Sequence, residues 1–469
     1  MLPRLTDIRE VWAQAWPAAI SMLSFAVMQF VDSIMVAVLG DAAVAAQGNG
    51  SSLAWAPVSF AFGLLALVNT LVAQRVGAGR TAEIARYGWA GIWISVGFAV
   101  FVLAPYAIAL GPVLRTYEVH APAILDGEIT YAHILLAGGI FTVGAKALSN
   151  FFYGLQRPKL ITVAAIAGNA VNLVLNFVLI YGEQGATIAG VHIPGVPGVP
   201  ALGLAGAALG TALGTAVEAL IPLGVFLSRR MDAELGVLRA WRPDPRAIRE
   251  ILRLGFPAGL QLLSESGSWV IFMVYLVGTF GEAHNAAGST VMKYVMLSFM
   301  PALGIANAAT AVVGKHIGER NLVAATRSGH AAVLIAAAWM TACALGFAVF
   351  RDDLASVFLD APEAIAIAST LFLFAAVFQT LDALGTVYIA ALRGAGDTLI
   401  PGIATVVLAW TVIVGGGAYM RAYHPELTSK GPWLAATAYI VLLGIFVTIR
   451  FERGGWKRIH LLDAPPAGR

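Results

Sequence analysis

Five ionisable side chains lie inside long apolar runs of this 469-residue chain. A charge in lipid costs several kcal/mol, so such residues are functional candidates by default. Asp32 sits in Gln29-Phe30-Val31-Asp32-Ser33, with Gln29 one turn back on the same face. Asn169, Asn172 and Asn176 are spaced three and four apart, which puts three amides on one helical stripe. Glu265 has Gln261 one turn before it, and Asp382 has Gln379 on its own stripe. Glu218 and Lys146 complete the set. An acid lined by amide oxygens suits a proton or a cation. Two carboxylates in one half of the chain could hold a sodium ion through oxygen ligands, or share one proton. Blander roles compete. Amides also bridge packed membrane helices. Lys146 and Glu218 could snorkel or neutralise each other. Glu265 and Asp382 could pair with arginine, but neither of their runs offers one.

The elements that must position these groups are helices in a bilayer. Apolar residues make 59% of the chain and charged ones only 12%, about half the usual share. That excludes a soluble enzyme, a disordered chain and a disulfide scaffold. Apolar runs fall near 14–39, 52–74, 89–111, 131–154, 160–182, 203–227, 254–280, 292–314, 330–350, 365–390, 398–419 and 432–449. Each is long enough for a spanning helix, and none alternates like a strand. With both termini inside, 23 of the 29 lysines and arginines fall in inside loops and 5 outside, as the positive-inside rule asks. Nucleic acid is therefore no expected partner; the excess of basic residues belongs to inside loops.

The longest charged connection divides the spans six and six. It gives a first lobe over 1–227, a cytoplasmic linker over 228–250, a second lobe over 251–450 and a cytoplasmic tail over 451–469. A shift of 241 lays Gly40, Asp41, Gly63, Gly77, Arg86 and Gly88 on Gly281, Glu282, Gly304, Gly318, Arg327 and Gly329. A shift of 240 lays Gly154 on Gly394. Six spans per copy keep the two copies in the same orientation, a parallel repeat about the membrane normal. The fold expected is all-α and polytopic: twelve transmembrane helices in two pseudo-symmetric six-helix bundles. Chemistry beyond transport has little support. The lone Cys343 allows no disulfide within the chain, the eight histidines form no close cluster, and no nucleotide or nucleophile motif occurs. Arg393-Gly394-Ala395-Gly396-Asp397-Thr398 lacks the context of a phosphate loop and reads as a tight inside turn.

These residues carry a resemblance. Phe30-Val31-Asp32-Ser33-Ile34-Met35-Val36, Asn172-Leu173-Val174-Leu175-Asn176 with Tyr181-Gly182, Leu254-Gly255-Phe256-Pro257 leading to Glu265, and Asp382 followed by Leu392 to Thr398 resemble the multidrug and toxic compound extrusion (MATE) family, in its bacterial NorM-like branch. The likeness runs from about 10 to 450. It implies a V-shaped pair of bundles around a central cavity and export of organic cations against sodium or protons. It implies a proton or drug site in the first lobe at Asp32, with Asn172 and Asn176, and Thr211 nearby; Gln29 and Asn169 join it by helical spacing. It implies a cation site in the second lobe at Glu265 and Asp382, where a metal ion would be sodium; Gln261 and Gln379 join it by helical spacing. That branch often has a tyrosine one turn before the second-lobe aspartate. Here Phe378 stands there, which removes a possible ligand and leaves a phenyl face for a weak cation–π contact. No bound cofactor is expected beyond the transported ion. The expected setting is the inner membrane, with the protein acting as a monomer. The alternative is a lipid-linked oligosaccharide flippase of the same wider superfamily. Its cavity should be rich in arginine, whereas acids dominate these spans.

Overall fold

The structure is a computed structural model that describes residues 2–117, 121–188 and 191–462. His120 and Arg469, both counted in the charge and histidine arguments, lie outside the described residues. Eleven described helices are long and apolar enough to cross a membrane, and a bent pair makes a twelfth. In chain order they are α1 (Leu5–Ala37), α2 (Asp41–Gly77), α3 (Thr81–Tyr117), α4, α5 (Pro158–Gln184), α6 (Gly203–Phe226), α7 (Pro245–Phe280), α8 (Glu282–Gly318), α9 (Leu322–Val349), α10 (Pro362–Gly394), α11 (Leu399–Tyr423) and α12 (Lys430–Glu452). The fourth span was expected as one run over 131–154. It is instead two helices, Pro122–Ala137 and Gly139–Gly154, bent by 47° at Gly138. Ala212 of α6 presses on Gly138 from the side, where a Cβ would stand 2.9 Å from its methyl. The described residues also contain one short antiparallel hairpin, Ala186–Ile188 with Val191–Ile193, between α5 and α6.

The internal repeat is a geometry as well as a pattern. α2 and α8 are both 37 residues long, and each starts after a glycine, Gly40 and Gly281, at φ of +100° and +108°. That backbone region favours glycine, which explains why both copies keep it. α2 and α8 cross where Gly77 meets the Lys315 carbonyl and Gly318 meets the Gln74 carbonyl. Lys315 is Gln74 moved by 241 places, so the two contacts exchange under the repeat. Farther along, Gly63 lies on Ala258 and Gly259 of α7, and Gly304 lies on Ala18 and Ala19 of α1. Gly154 lies on the Asn69 carbonyl and Gly394 on the Thr310 carbonyl; the carbonyls are 241 places apart and the glycines 240. Any side chain at Gly77 or Gly318 would overlap backbone, so helix contact this close requires glycine at both.

The first helix of each half begins in the core of the other half. Val11 and Ala15 of α1 pack with Ala302, Ile305, Ala331 and Val387. Ala247 and Ile251 of α7 pack with Leu71, Tyr87, Phe151 and Phe226. Charge reinforces the exchange on the basic face. Glu10 meets Lys315 at 2.8 Å and His316 at 3.1 Å, and Asp7 meets Arg327 at 3.3 Å. The repeat-related clasp joins Glu250 to Arg75 at 3.4 Å and to the Tyr87 hydroxyl, with Asp244 near Arg86 at 3.9 Å. The connection over 228–250 was expected as a plain charged linker. Part of it folds instead: helix Arg229–Leu235 buries Met231 and Leu235, and the Trp89 indole donates to the Val237 carbonyl at 2.8 Å.

Candidate functional site

The first-half site is a carboxylate inside an amide cage. α5 and α6 pack closely because Gly210 and Gly214 of α6 leave room for Asn176 and Asn172 of α5. A Cβ at Gly210 would stand 2.0 Å from the Asn176 amide oxygen. With that room, Asn176 donates to Asp32 of α1 at 2.7 Å and to the Asn172 oxygen at 3.4 Å. Asn172 donates to the Thr211 hydroxyl at 3.3 Å, and Thr211 donates to the Ala207 carbonyl of its own helix. Asp32, Asn172 and Asn176 are all buried. Asn169 sits farther along the stripe and bonds Ser24 of α1 at 2.6 Å. The structure thus brings Asp32, Asn172, Asn176 and Thr211 together. Asn169 joins α1 to α5 one turn away. Gln29 stands apart: it is exposed and does not reach Asp32. Tyr131 completes the cage and was missed by sequence reasoning. It is buried near Gln47, Ser51 and Thr211, within electrostatic reach of Asp32. Nothing in the spacing of the chain links residue 131 to residue 32.

The second-half site holds two acids with few donors. Tyr439 of α12 donates to Glu265 of α7 at 3.0 Å. Asp382 of α10 has Glu265 as its charged neighbour, and Thr386 stands one turn on along the same helix. Both acids lie deep yet keep some accessible surface, as groups on a cavity wall do. Their expected amide partners are taken by other helices. Gln261 donates to Thr405 of α11 at 3.1 Å, and Gln379 donates to Ser298 of α8. The one-turn rule placed these amides on the right faces. A hydroxyl on the adjoining helix offers a shorter bond than a carboxylate one turn away on the same helix. Phe378 is buried in the second-half core with Phe372, Trp433 and Tyr439, and forms part of that core. The site does receive an aromatic hydroxyl, but from Tyr439, which the spacing around Asp382 does not reveal.

Two further expectations change. Lys146 and Glu218 do not form an ion pair among the described residues; they are electrostatic neighbours only. Arg393 is the stronger charged neighbour of Lys146. Arg393 belongs to the last turn of α10 rather than to a loop, and its field also reaches Glu265. The spans therefore do bring an arginine near the acids, without contact. Glu128 lies before the apolar run expected over 131–154 and was not among the candidates. It is buried in the first half of α4, where Asn49 donates to it at 2.8 Å. Among the described residues no three His, Cys, Asp or Glu side chains could jointly hold a metal ion.

With that geometry in place, comparison with known proteins is decisive. The MatE family model matches residues 17–178 and 257–416, one copy in each half. The chain belongs to the MATE family. The probable multidrug resistance protein NorM of Pseudomonas aeruginosa is 30% identical over 476 residues, covering 99% of this chain and 92% of that protein. NorM of Neisseria meningitidis serogroup A is 29% identical, covering 94% and 93%. An outward-facing multidrug resistance MATE transporter of the MOP superfamily shares the fold with a TM-score of 0.84, at 22% identity, covering 95% of this chain and 96% of that one. The chain is thus a NorM-like MATE protein, a multi-pass membrane protein and not an enzyme. Its twelve helices form the two pseudo-symmetric bundles of that fold.

Proposed function

We propose that this MATE protein is a secondary active exporter, moving amphipathic organic compounds with a positive charge outward against inward sodium or protons. The observation that carries this reading is the pair Glu265 and Asp382. The two carboxylates lie deep but accessible in the same half, within electrostatic reach of each other, with the Tyr439 hydroxyl on Glu265 and, among the described residues, no contacting cation. Such a pair is satisfied only when something positive arrives. An organic cation and the coupling ion would compete for it, and that competition is exchange. The ion must favour one orientation of the two halves over the other, or it shifts nothing. The repeat supplies the means, since the halves cross at α2 and α8 and are clasped on the basic face. The names of the NorM relatives support drugs as cargo.

The charge split supports a place in the inner membrane with both termini cytoplasmic. On this reading the lobes are 1–227 and 251–450, with 228–250 and 451–469 on the cytoplasmic side. The protein works as a monomer and needs no cofactor beyond its coupling ion. The test is uptake of a fluorescent organic cation into inverted vesicles, with sodium and pH gradients imposed one at a time. Uptake driven by one gradient and abolished by collapsing it is expected. Uptake indifferent to both gradients would overturn the proposal.

A further inference from the structure

We propose that the arginine-rich face running from Leu238 to Arg253 is a docking surface for anionic phospholipid headgroups of the inner leaflet. This rests on the reading that puts 228–250 on the cytoplasmic side. Seven arginines and four acids fall between 228 and 253, and the fold sorts them. The acids are engaged by the protein itself. Glu234 pairs with Arg157, Asp244 lies 3.9 Å from Arg86, and Glu250 lies 3.4 Å from Arg75. Asp232 accepts from the Leu238 backbone N–H at 2.8 Å. The arginines turn the other way: all seven are exposed. Arg239, Arg242, Arg249 and Arg253 have no acid within 4.0 Å among the described residues.

Two tryptophans set the depth of this face. The indoles of Trp89 and Trp93 on α3 donate to the Val237 and Trp241 carbonyls at 2.8 Å and 2.9 Å. Trp93 stands about 13 Å along the helix axis from Ile84. Because α3 is a spanning helix, the segment 237–241 lies along its flank at the edge of the bilayer rather than free in the cytosol. Leu238 and Trp241 are 46% and 50% exposed there, and the Arg242 guanidinium stands 6.0 Å from the Trp241 ring. Tryptophan and arginine at that level anchor a protein at the membrane interface. On α7, Arg246, Arg249 and Arg253 are spaced three and four apart, one helical stripe. The same side runs on into Phe256 and Leu260, both exposed. Charges that pass directly into an exposed apolar stripe match a headgroup above its acyl chains. A soluble phosphate or a nucleic acid would leave the apolar part unused. The guanidinium fork suits a phosphodiester, and each basic residue close to an anionic leaflet adds to the binding. The repeat does not demand this ladder. Glu10 and Glu250 are 240 places apart, and that shift lays Arg246, Arg249 and Arg253 on Thr6, Arg9 and Ala13. The lipid therefore grips α7, whose Glu250 closes the clasp on Arg75, and not α1.

The test titrates the purified full-length protein in detergent with a fluorescent short-chain phosphatidylglycerol and with its phosphatidylcholine counterpart. The wild type should bind phosphatidylglycerol about tenfold more tightly, and added salt should shrink that ratio. The Arg239→Gln, Arg242→Gln, Arg249→Gln, Arg253→Gln quadruple variant should bring the ratio close to one. Lysine at the same four positions should keep most of it, since the charge stays. Equal binding of the two lipids by the wild type would overturn the surface whatever the variants do. An unchanged ratio in the folded glutamine variant would do the same. Displacement of the bound phosphatidylglycerol by inorganic phosphate or by a short RNA, as readily as by unlabelled phosphatidylglycerol, would reassign the arginines to a soluble anion and overturn the lipid. The topology is read separately, with Leu238→Cys in a Cys343→Ala background. Labelling by an impermeant thiol reagent outside intact cells would overturn the cytoplasmic placement and the inner leaflet with it, whereas the lipid preference in detergent tests the surface alone.

Discussion

The two acidic sites solve opposite problems. Asp32 is buried but enclosed by donors, with Asn176 at 2.7 Å and Asn172, Thr211 and Tyr131 around it. Glu265 and Asp382 lie within electrostatic reach of each other, with the Tyr439 hydroxyl on Glu265. Amide donors can stabilise a single carboxylate without a counter-ion. Two interacting buried carboxylates with so few donors resist both staying charged unless a cation or a proton joins them. On the reading proposed above, the difference places the obligatory ion in the second half and leaves Asp32 as an exchangeable group.

The largest effect should come from neutralising the second-half pair. Asp382→Asn or Glu265→Gln should lower ion-coupled efflux by roughly tenfold or more, with normal insertion, because the ion loses its charge partner. Vesicle transport at matched expression checks this, and full transport by both variants would break the comparison at its strong end. Next comes Asp32. Asp32→Asn should lower efflux several-fold and flatten its dependence on external pH between about 6 and 8, since an amide exchanges no proton. Asp32→Glu should keep part of the activity, because it keeps the titratable group one methylene out of place. If Asn serves as well as Asp at every pH while Glu fails, the cage is structural.

A smaller effect is expected from Tyr439→Phe. It removes a hydroxyl donor to Glu265 and leaves the ring packed, so transport should fall a few-fold and the affinity for the coupling ion should change more than the maximal rate. The smallest should come from the clasps. Glu250→Gln leaves the buried Arg75 with Glu83 as its one carboxylate partner, whereas Glu10→Gln leaves the half-exposed Lys315, and His316 with it, near Glu319. The first should lower thermal stability by about 1 kcal/mol and the second by less. Equal losses would show that burial of the cation is not what separates the clasps.

Much of this architecture is legible in the chain because a repeat leaves its marks locally. Glycines 241 places apart became the paired close contacts of α2 and α8, and the asparagine stripe became the wall of the Asp32 cage. What stayed hidden depends on which helices become neighbours. Gln29, Gln261 and Gln379 were on the right faces, yet one is exposed and two are claimed by Thr405 and Ser298 across helix boundaries. Tyr131 and Tyr439 reach their acids from helices far away in sequence. Arg393 reads as a turn residue because glycines follow it, but the helix runs on to Gly394. The break at Gly138 falls where Ala212 of α6 lies against it, a contact that no local pattern encodes.

The central claim is that a transported cation and the coupling ion exchange at Glu265 and Asp382. It can be read directly by adding the cation to purified protein in weakly buffered detergent solution, following proton release and the displacement of bound radioactive sodium together. The wild type should release one of the two ions in proportion to the cation bound, and the Glu265→Gln, Asp382→Asn double variant should release neither. Equal release from the wild type and the double variant would contradict the account.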